Sequence, residues 1–193
     1  DTLLDARARN FLTAVYRLAR PETPNAGVEY AIAALDISTG ECEVGLACDG
    51  DLQSELARLA PSEILASEEG AGDPLIANWA AYNRSAISPV PDPSFDSMAG
   101  ERLLKAYLGV SDLAAFGAFS RGELAAIGAL LKYVELTQIG KRPVVRAPRR
   151  TGQGSVLVID AASRASLELL RSSSGEKGGS LLSAIDRTVT GPG

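Results

Sequence analysis

The groups in this sequence with chemical potential are two thiols, a set of strand-end carboxylates and one basic run. Cys42 and Cys48 are the only cysteines. On one extended strand they would share a face about 20 Å apart, too far for a disulfide, so they read as packing thiols suited to a reducing compartment. No histidine occurs anywhere, which removes Ser-His-Asp and Cys-His catalysis and His-ligated zinc. Gly175-Glu176-Lys177-Gly178-Gly179-Ser180 has the residue types of a phosphate-cradling loop, but its glycines and lysine are in the wrong order and spacing. Asp36 stands just before Ser38-Thr39-Gly40, where a carboxylate can accept the N–H groups of a turn. Lys141, Arg142, Arg146, Arg149 and Arg150 crowd one stretch with two prolines and two glycines. They suit either a phosphate-contacting arm or a solvated linker, and the lack of interleaved aromatics favours the linker.

The elements that must position these groups belong to a chain of 193 residues, 46% apolar and 22% charged, with net charge −5. That balance supports one packed domain or one plus part of another, and it disfavours disorder and a dedicated nucleic-acid binder. No apolar run reaches the roughly 20 residues of a membrane span, and the start, Asp1-Thr2-Leu3-Leu4-Asp5, lacks signal-peptide order, so a cytoplasmic protein or an excised piece of one is expected. Charge changes sign along the chain: 10 basic and 20 acidic residues up to Gly140 give −10, and 9 basic and 4 acidic residues after it give +5. This places a module at 1–140, a linker at 141–154 and a second segment at 155–193.

Phe11 to Tyr16 and Val28 to Ile37 are rich in β-branched and aromatic residues, and Ser38-Thr39-Gly40 leads into the alternating Glu41-Cys42-Glu43-Val44-Gly45-Leu46. An antiparallel meander is predicted. Leu52, Leu56 and Leu59 form a helical stripe stopped by Pro61, before a short strand at Glu63-Ile64-Leu65-Ala66. From 70 to 96 four prolines predict mostly loop with a short strand. One helix then runs from an Asp96 or Ser97 cap to about Leu108, and a second from about Arg121 to Gln138 carries the stripe Leu124, Ile127, Leu131 and Val134, with Gly109 and Gly140 suited to their ends.

These stretches carry a resemblance. Tyr30-Ala31-Ile32-Ala33-Ala34-Leu35-Asp36-Ile37-Ser38-Thr39-Gly40, then Pro61-Ser62-Glu63-Ile64-Leu65, then Leu130-Leu131-Lys132-Tyr133-Val134-Glu135-Leu136-Thr137-Gln138 resemble the connector domain of the bacterial mismatch repair family MutS. Ile159-Asp160-Ala161-Ala162-Ser163-Arg164-Ala165-Ser166-Leu167-Glu168-Leu169-Leu170 and Ser180-Leu181-Leu182-Ser183-Ala184-Ile185-Asp186-Arg187-Thr188-Val189-Thr190-Gly191-Pro192-Gly193 look like the opening of its core domain, with Asp160 suited to cap a helix. The resemblance implies an α/β fold, an RNase H-like mixed sheet flanked by helices, followed by a short α-rich segment that begins the core or lever domain. It also implies an internal fragment of a longer protein.

By the same resemblance the function is coupling. The connector would link mismatch-recognition and ATPase/core domains and offer a surface to MutL, while the parent binds mismatched DNA, ATP and Mg; the fragment itself is expected to hold no cofactor and to catalyse nothing. The partner-facing surface falls on the helix from Ser97 to Leu108, where Met98, Glu101, Arg102 and Lys105 recur at offsets of three and four and share one mostly polar face. Arg102 and Leu103 stand where the family often has polar amides. The RNase H-like fold raises an alternative, a metal-dependent nuclease in which Asp36 is one ligand. Glu41, Glu43 and Glu63 do not complete such a set by spacing, so Asp36 is expected to cap the turn.

Overall fold

A computed structural model of the chain describes residues 11–18, 27–137 and 144–151, and further along 163, 166–168, 172, 176 and 178–185. Gly140, Lys141, Arg142 and Asp160 lie outside the described residues. Two compact units are present, Asn10–Ser155 and one formed by Asp1–Arg9 with Val156–Gly193.

The first unit is built on strands that lack simple polar–apolar alternation. In β1 (Phe11–Leu18) the run Phe11 to Val15 is buried, and in β2 (Glu29–Asp36) every residue after Glu29 is. Phe11, Val15, Tyr30, Ile32 and Ala34 enter one core, and Leu12, Ala14, Ala31, Ala33 and Leu35 enter another on the opposite face. A continuous apolar run is what a strand covered on both sides requires. Four further strands, β3 (Cys42–Cys48), β4 (Glu63–Ser67), β5 (Ala86–Val90) and β6 (Arg149–Arg150), complete a six-stranded sheet in the order β5-β4-β1-β2-β3-β6. β1, β2 and β3 form the antiparallel meander predicted from the sequence, whereas the β1–β4, β4–β5 and β3–β6 pairs are parallel.

Helices α1 (Asp49–Leu59) and α2 (Pro74–Asn83) bury Leu52, Leu56, Leu59, Ile76 and Trp79 on one face of the sheet. Helices α3 (Ser97–Leu108) and α4 (Arg121–Thr137) cover the other with Leu104, Ile127, Leu130, Leu131 and Val134. Each such side chain contributes about 1.5–3 kcal/mol on leaving water. The mixed sheet flanked by helices is the expected α/β class. In the second unit the described helix is α5 (Leu181–Ile185), whose Leu181, Leu182 and Ile185 are exposed.

Two regions differ from the sequence expectation. The stretch 70–96 is not mostly loop, because Pro74 starts α2 rather than breaking it: Asp73 accepts the Leu75 N–H at 2.9 Å as N-cap and Pro74 occupies the first turn, where a missing N–H costs nothing. Pro89 sits in β5, an edge strand that tolerates it. The second difference is in 141–154. Where described, from 144 to 151, this expected linker lies along the sheet edge with Val145 and Pro148 buried. Arg146 N–H donates to the Gly40 carbonyl at 2.8 Å and Thr151 N–H to the Val44 carbonyl at 2.8 Å. The contact is close enough that a Cβ at Gly45 would stand 2.3 Å from the Thr151 carbonyl oxygen.

Candidate partner-binding face

Helix α3 is fixed at both ends. The Asp96 carboxylate accepts the N–H groups of Met98 at 2.7 Å and Ala99 at 2.9 Å, and these two bonds hold its pKa below the usual carboxylate range. Gly109, at φ +67°, closes the helix in the left-handed region. Its inner side is set by Leu104 and by Gly100, which meets Gly128 of α4 backbone to backbone. Just before the cap, Phe95 stacks on Tyr16 of β1 with ring centroids 4.7 Å apart.

Away from this inner side lie Met98 and Arg102, both exposed, with Glu101 and Lys105 half-buried. Met98 is 68% exposed, and Lys105 Nζ lies 2.6 Å from Glu101 Oε1, an i,i+4 pair. A half-exposed pair of this kind adds about 0.3–0.5 kcal/mol. Arg102 is exposed and has no ion pair among the described residues. Glu101, Asp112, Leu113, Phe119 and Leu124 are among the residues lining a depression of about 360 Å³. The face therefore offers one thioether, mixed charge and an adjoining hollow of mixed polarity.

The carboxylates that could have served metal chemistry have other partners. Asp36 is buried and accepts the Ser38 N–H at 2.9 Å, the Ser38 hydroxyl and the Thr39 N–H at 3.4 Å. Burial alone would raise its pKa, but the bonds from Ser38 and Thr39 outweigh it and hold the carboxyl below its ordinary value. It caps the turn, as expected. Glu43 pairs with Arg58 at 2.7 Å, and Glu63 accepts the Tyr133 hydroxyl at 2.6 Å and the Ser88 hydroxyl. Among the described residues no three acidic or cysteine side chains converge as a metal site. Cys42 is buried at one end of β3 and burial pushes its thiol up to about 12; Cys48, at the other end, donates to Asp51 at 3.0 Å.

Of the basic run, Arg146 and Arg149 are exposed, whereas Arg150 is engaged. Its guanidinium meets both oxygens of the buried Glu123, Nη2 at 3.0 Å to each and Nε at 3.3 Å to one. Glu123 also accepts the Ser120 N–H at 2.6 Å while its own N–H donates to the Ser120 hydroxyl at 3.2 Å. Ser120 and Glu123 thus form a capping box at the start of α4. Sequence reasoning missed this pair. The Ser-x-x-Glu spacing ahead of an apolar run carried the signal for the box, but nothing local joins Arg150 to it.

The fold and this arrangement define a sheet module that presents one helix and retains its buried carboxylates for internal bonds. The family model described as MutS domain II matches residues 10–146. The DNA mismatch repair protein MutS of Azorhizobium caulinodans is 44% identical over 195 residues, covering 100% of this chain and 20% of that protein. The corresponding proteins of Cereibacter sphaeroides (strain ATCC 17023) and Ruegeria pomeroyi are 45% and 46% identical, covering 100% and 98% of this chain and 21% of each relative. The chain belongs to the MutS family of DNA mismatch repair proteins, and it spans about a fifth of the length of these curated relatives. Among solved structures, T. thermophilus RuvC in complex with Holliday junction substrate matches with TM-score 0.43 and 8% identity, covering 69% of this chain and 98% of that one. No helix among the described residues is long and apolar enough to cross a membrane.

Proposed function

We propose that this segment is the connector of a cytoplasmic MutS protein, coupling the mismatch-recognition domain to the ATPase/core domains, and that the α3 face receives MutL. The supporting observation is the match of residues 10–146 to MutS domain II, joined to an identity of 44–46% with the three named relatives. In the parent protein, mismatched DNA, ATP and Mg would be bound by other parts; this chain lacks the glycine-lysine order of a phosphate-binding loop. The segment contributes no catalytic group and acts by holding its neighbours and by presenting Met98, Glu101, Arg102 and Lys105.

A titration of the chain against the N-terminal domain of a matching MutL tests this, with Glu101, Arg102 and Lys105 changed together to alanine. Binding that the triple change weakens at an unaltered melting temperature supports the reading. Binding that the triple change leaves intact moves the MutL surface elsewhere. A second reading, a backbone contact to DNA through Lys141, Arg142, Arg146, Arg149 and Arg150, has in its favour that Arg146 and Arg149 are exposed, whereas Arg150 is engaged by Glu123. Phosphate contacts lose affinity steeply as salt rises. Salt-insensitive or absent DNA binding would dispose of it.

A further inference from the structure

The bond between Glu123 and Arg150 joins three parts of the first unit that are far apart in sequence. Arg150 belongs to β6, held to β3 by the pairs Glu43 with Arg149 and Val44 with Arg150. Glu123 is in the first turn of α4 and its side chain is 1% exposed, against 45% for Arg150. The third part is the loop 112–120, which leads from α3 to α4. Its Ser120 shares the Glu123 carboxylate, and the Arg150 Cδ lies 3.8 Å from the place a Cβ would take on Gly117. One arginine therefore pairs with a buried carboxylate and passes its Cδ close to Gly117 of the loop.

The consequence is mechanical. A buried carboxylate that loses its cation is costly, so the position of β6 is constrained by Glu123 as well as by two residue pairs of sheet. The loop beneath Arg150 supplies Asp112, Leu113, Gly117 and Phe119 to the hollow beside Glu101 of α3. Whatever displaces residues 144–151 must break the ion pair or move the loop with it.

We propose that Arg150 is a positioning residue that ties the sheet-edge segment 144–151, a strap that contains β6, to the loop 112–120 beside the α3 face. This rests on the coupling function proposed above and adds the route: movement of the strap is passed through Arg150 to the surface offered to a partner. Arg149, next in sequence and exposed, has no ion pair among the described residues and serves as the internal control.

Hydrogen exchange read by mass spectrometry on the full chain is the test, with Arg150→Ala, Glu123→Gln and Arg149→Ala. Gln at position 123 keeps an acceptor for the capping box while removing the charge, so α4 retains its start. Arg150→Ala and Glu123→Gln should each speed exchange about tenfold in peptides covering both 144–151 and 112–120, with peptides from β1, β2 and β4 unchanged. Arg149→Ala should leave both at the wild-type rate. Faster exchange in 144–151 alone overturns the proposal, because the strap would then be docked without reaching the loop. No change in either segment, or a uniform rise across all peptides, overturns it as well. MutL titration of the unaltered chain stays independent: its failure would remove the partner and leave the link, and the exchange result would do the reverse.

Discussion

Gly100→Ala is the substitution whose cost follows most directly from the packing of the candidate face. A Cβ built at Gly100 would lie 2.0 Å from the Leu124 carbonyl oxygen and 3.1 Å from the Gly128 Cα, and one at Gly128 would lie 2.6 Å from the Gly100 Cα. All these neighbours are backbone, so no rotamer change relieves the contact. A carbon needs about 3.3 Å from a carbonyl oxygen, which asks α3 and α4 to separate by more than an ångström. A gap of that size forfeits a quarter to a half of each dispersion contact across the interface. Overpacking costs about 1–3 kcal/mol, and here the upper end applies; the better helix propensity of alanine returns about 1 kcal/mol. The net loss is about 2 kcal/mol, or roughly 4–8 °C in melting temperature for a chain of this size. Gly50 in α1 has nothing within 4 Å of its would-be Cβ, so Gly50→Ala should hold or raise the melting temperature. Paired thermal and urea melts decide the matter. A Gly100→Ala protein as stable as the Gly50→Ala protein would refute the close crossing and with it the stated position of the α3 face.

Two further outcomes are expected. Thr13 is fully buried in β1 and its hydroxyl finds no hydrogen-bond partner among the described residues; Thr13→Val removes an unsatisfied polar group at nearly constant shape and should stabilise by about 1 kcal/mol, seen as a higher urea midpoint at unchanged slope. Asp36 and Asp96 both have depressed carboxyl pKa values, the first because the Ser38 and Thr39 bonds outweigh burial, the second through the amides of Ala99 and Met98. A group whose folded pKa lies below its unfolded value of about 3.9 contributes stability that is present above that pH and lost as pH falls through the folded value. Stability measured by urea should therefore decline below about pH 4, and the double change Asp36→Asn, Asp96→Asn should flatten that decline; an unchanged acid slope would contradict both assignments.

What could be read in the sequence was whatever depends on neighbours along the chain. The turn at Ser38-Thr39-Gly40, the stripe Leu52, Leu56 and Leu59, the Asp96 cap and the long apolar face of α4 all follow from local spacing, and each is present. Helix α2 was hidden because proline was read as a breaker, whereas Asp73-Pro74 is a start signal once the proline is placed in the first turn. The layout of 144–151 was hidden for another reason. Its arginines and prolines have linker composition, and its place along β3 depends on Gly40, Gly45 and Glu123, more than 20 residues away in the chain. The α3 face was readable as an amphipathic pattern, but its meaning as a partner surface came through the family resemblance alone.

The distribution of polar groups gives that resemblance a physical counterpart. Asp36 is tied to a turn, Glu43 to Arg58, Glu63 to Tyr133 and Ser88, and Glu123 to Arg150 and a capping box, while Asp73 caps α2 and also accepts the Tyr30 hydroxyl at 2.8 Å. Each of these carboxylates holds two elements of the first unit, or the two ends of a turn, in a fixed relation. A module with its carboxylates so arranged resists internal deformation. Displacement applied at one edge of a stiff sheet is then carried to the other elements rather than absorbed. The groups left facing outward, Met98, Arg102, Arg146 and Arg149 among them, are those with no internal geometry to maintain. They are accordingly the side chains whose replacement should alter association before it alters stability.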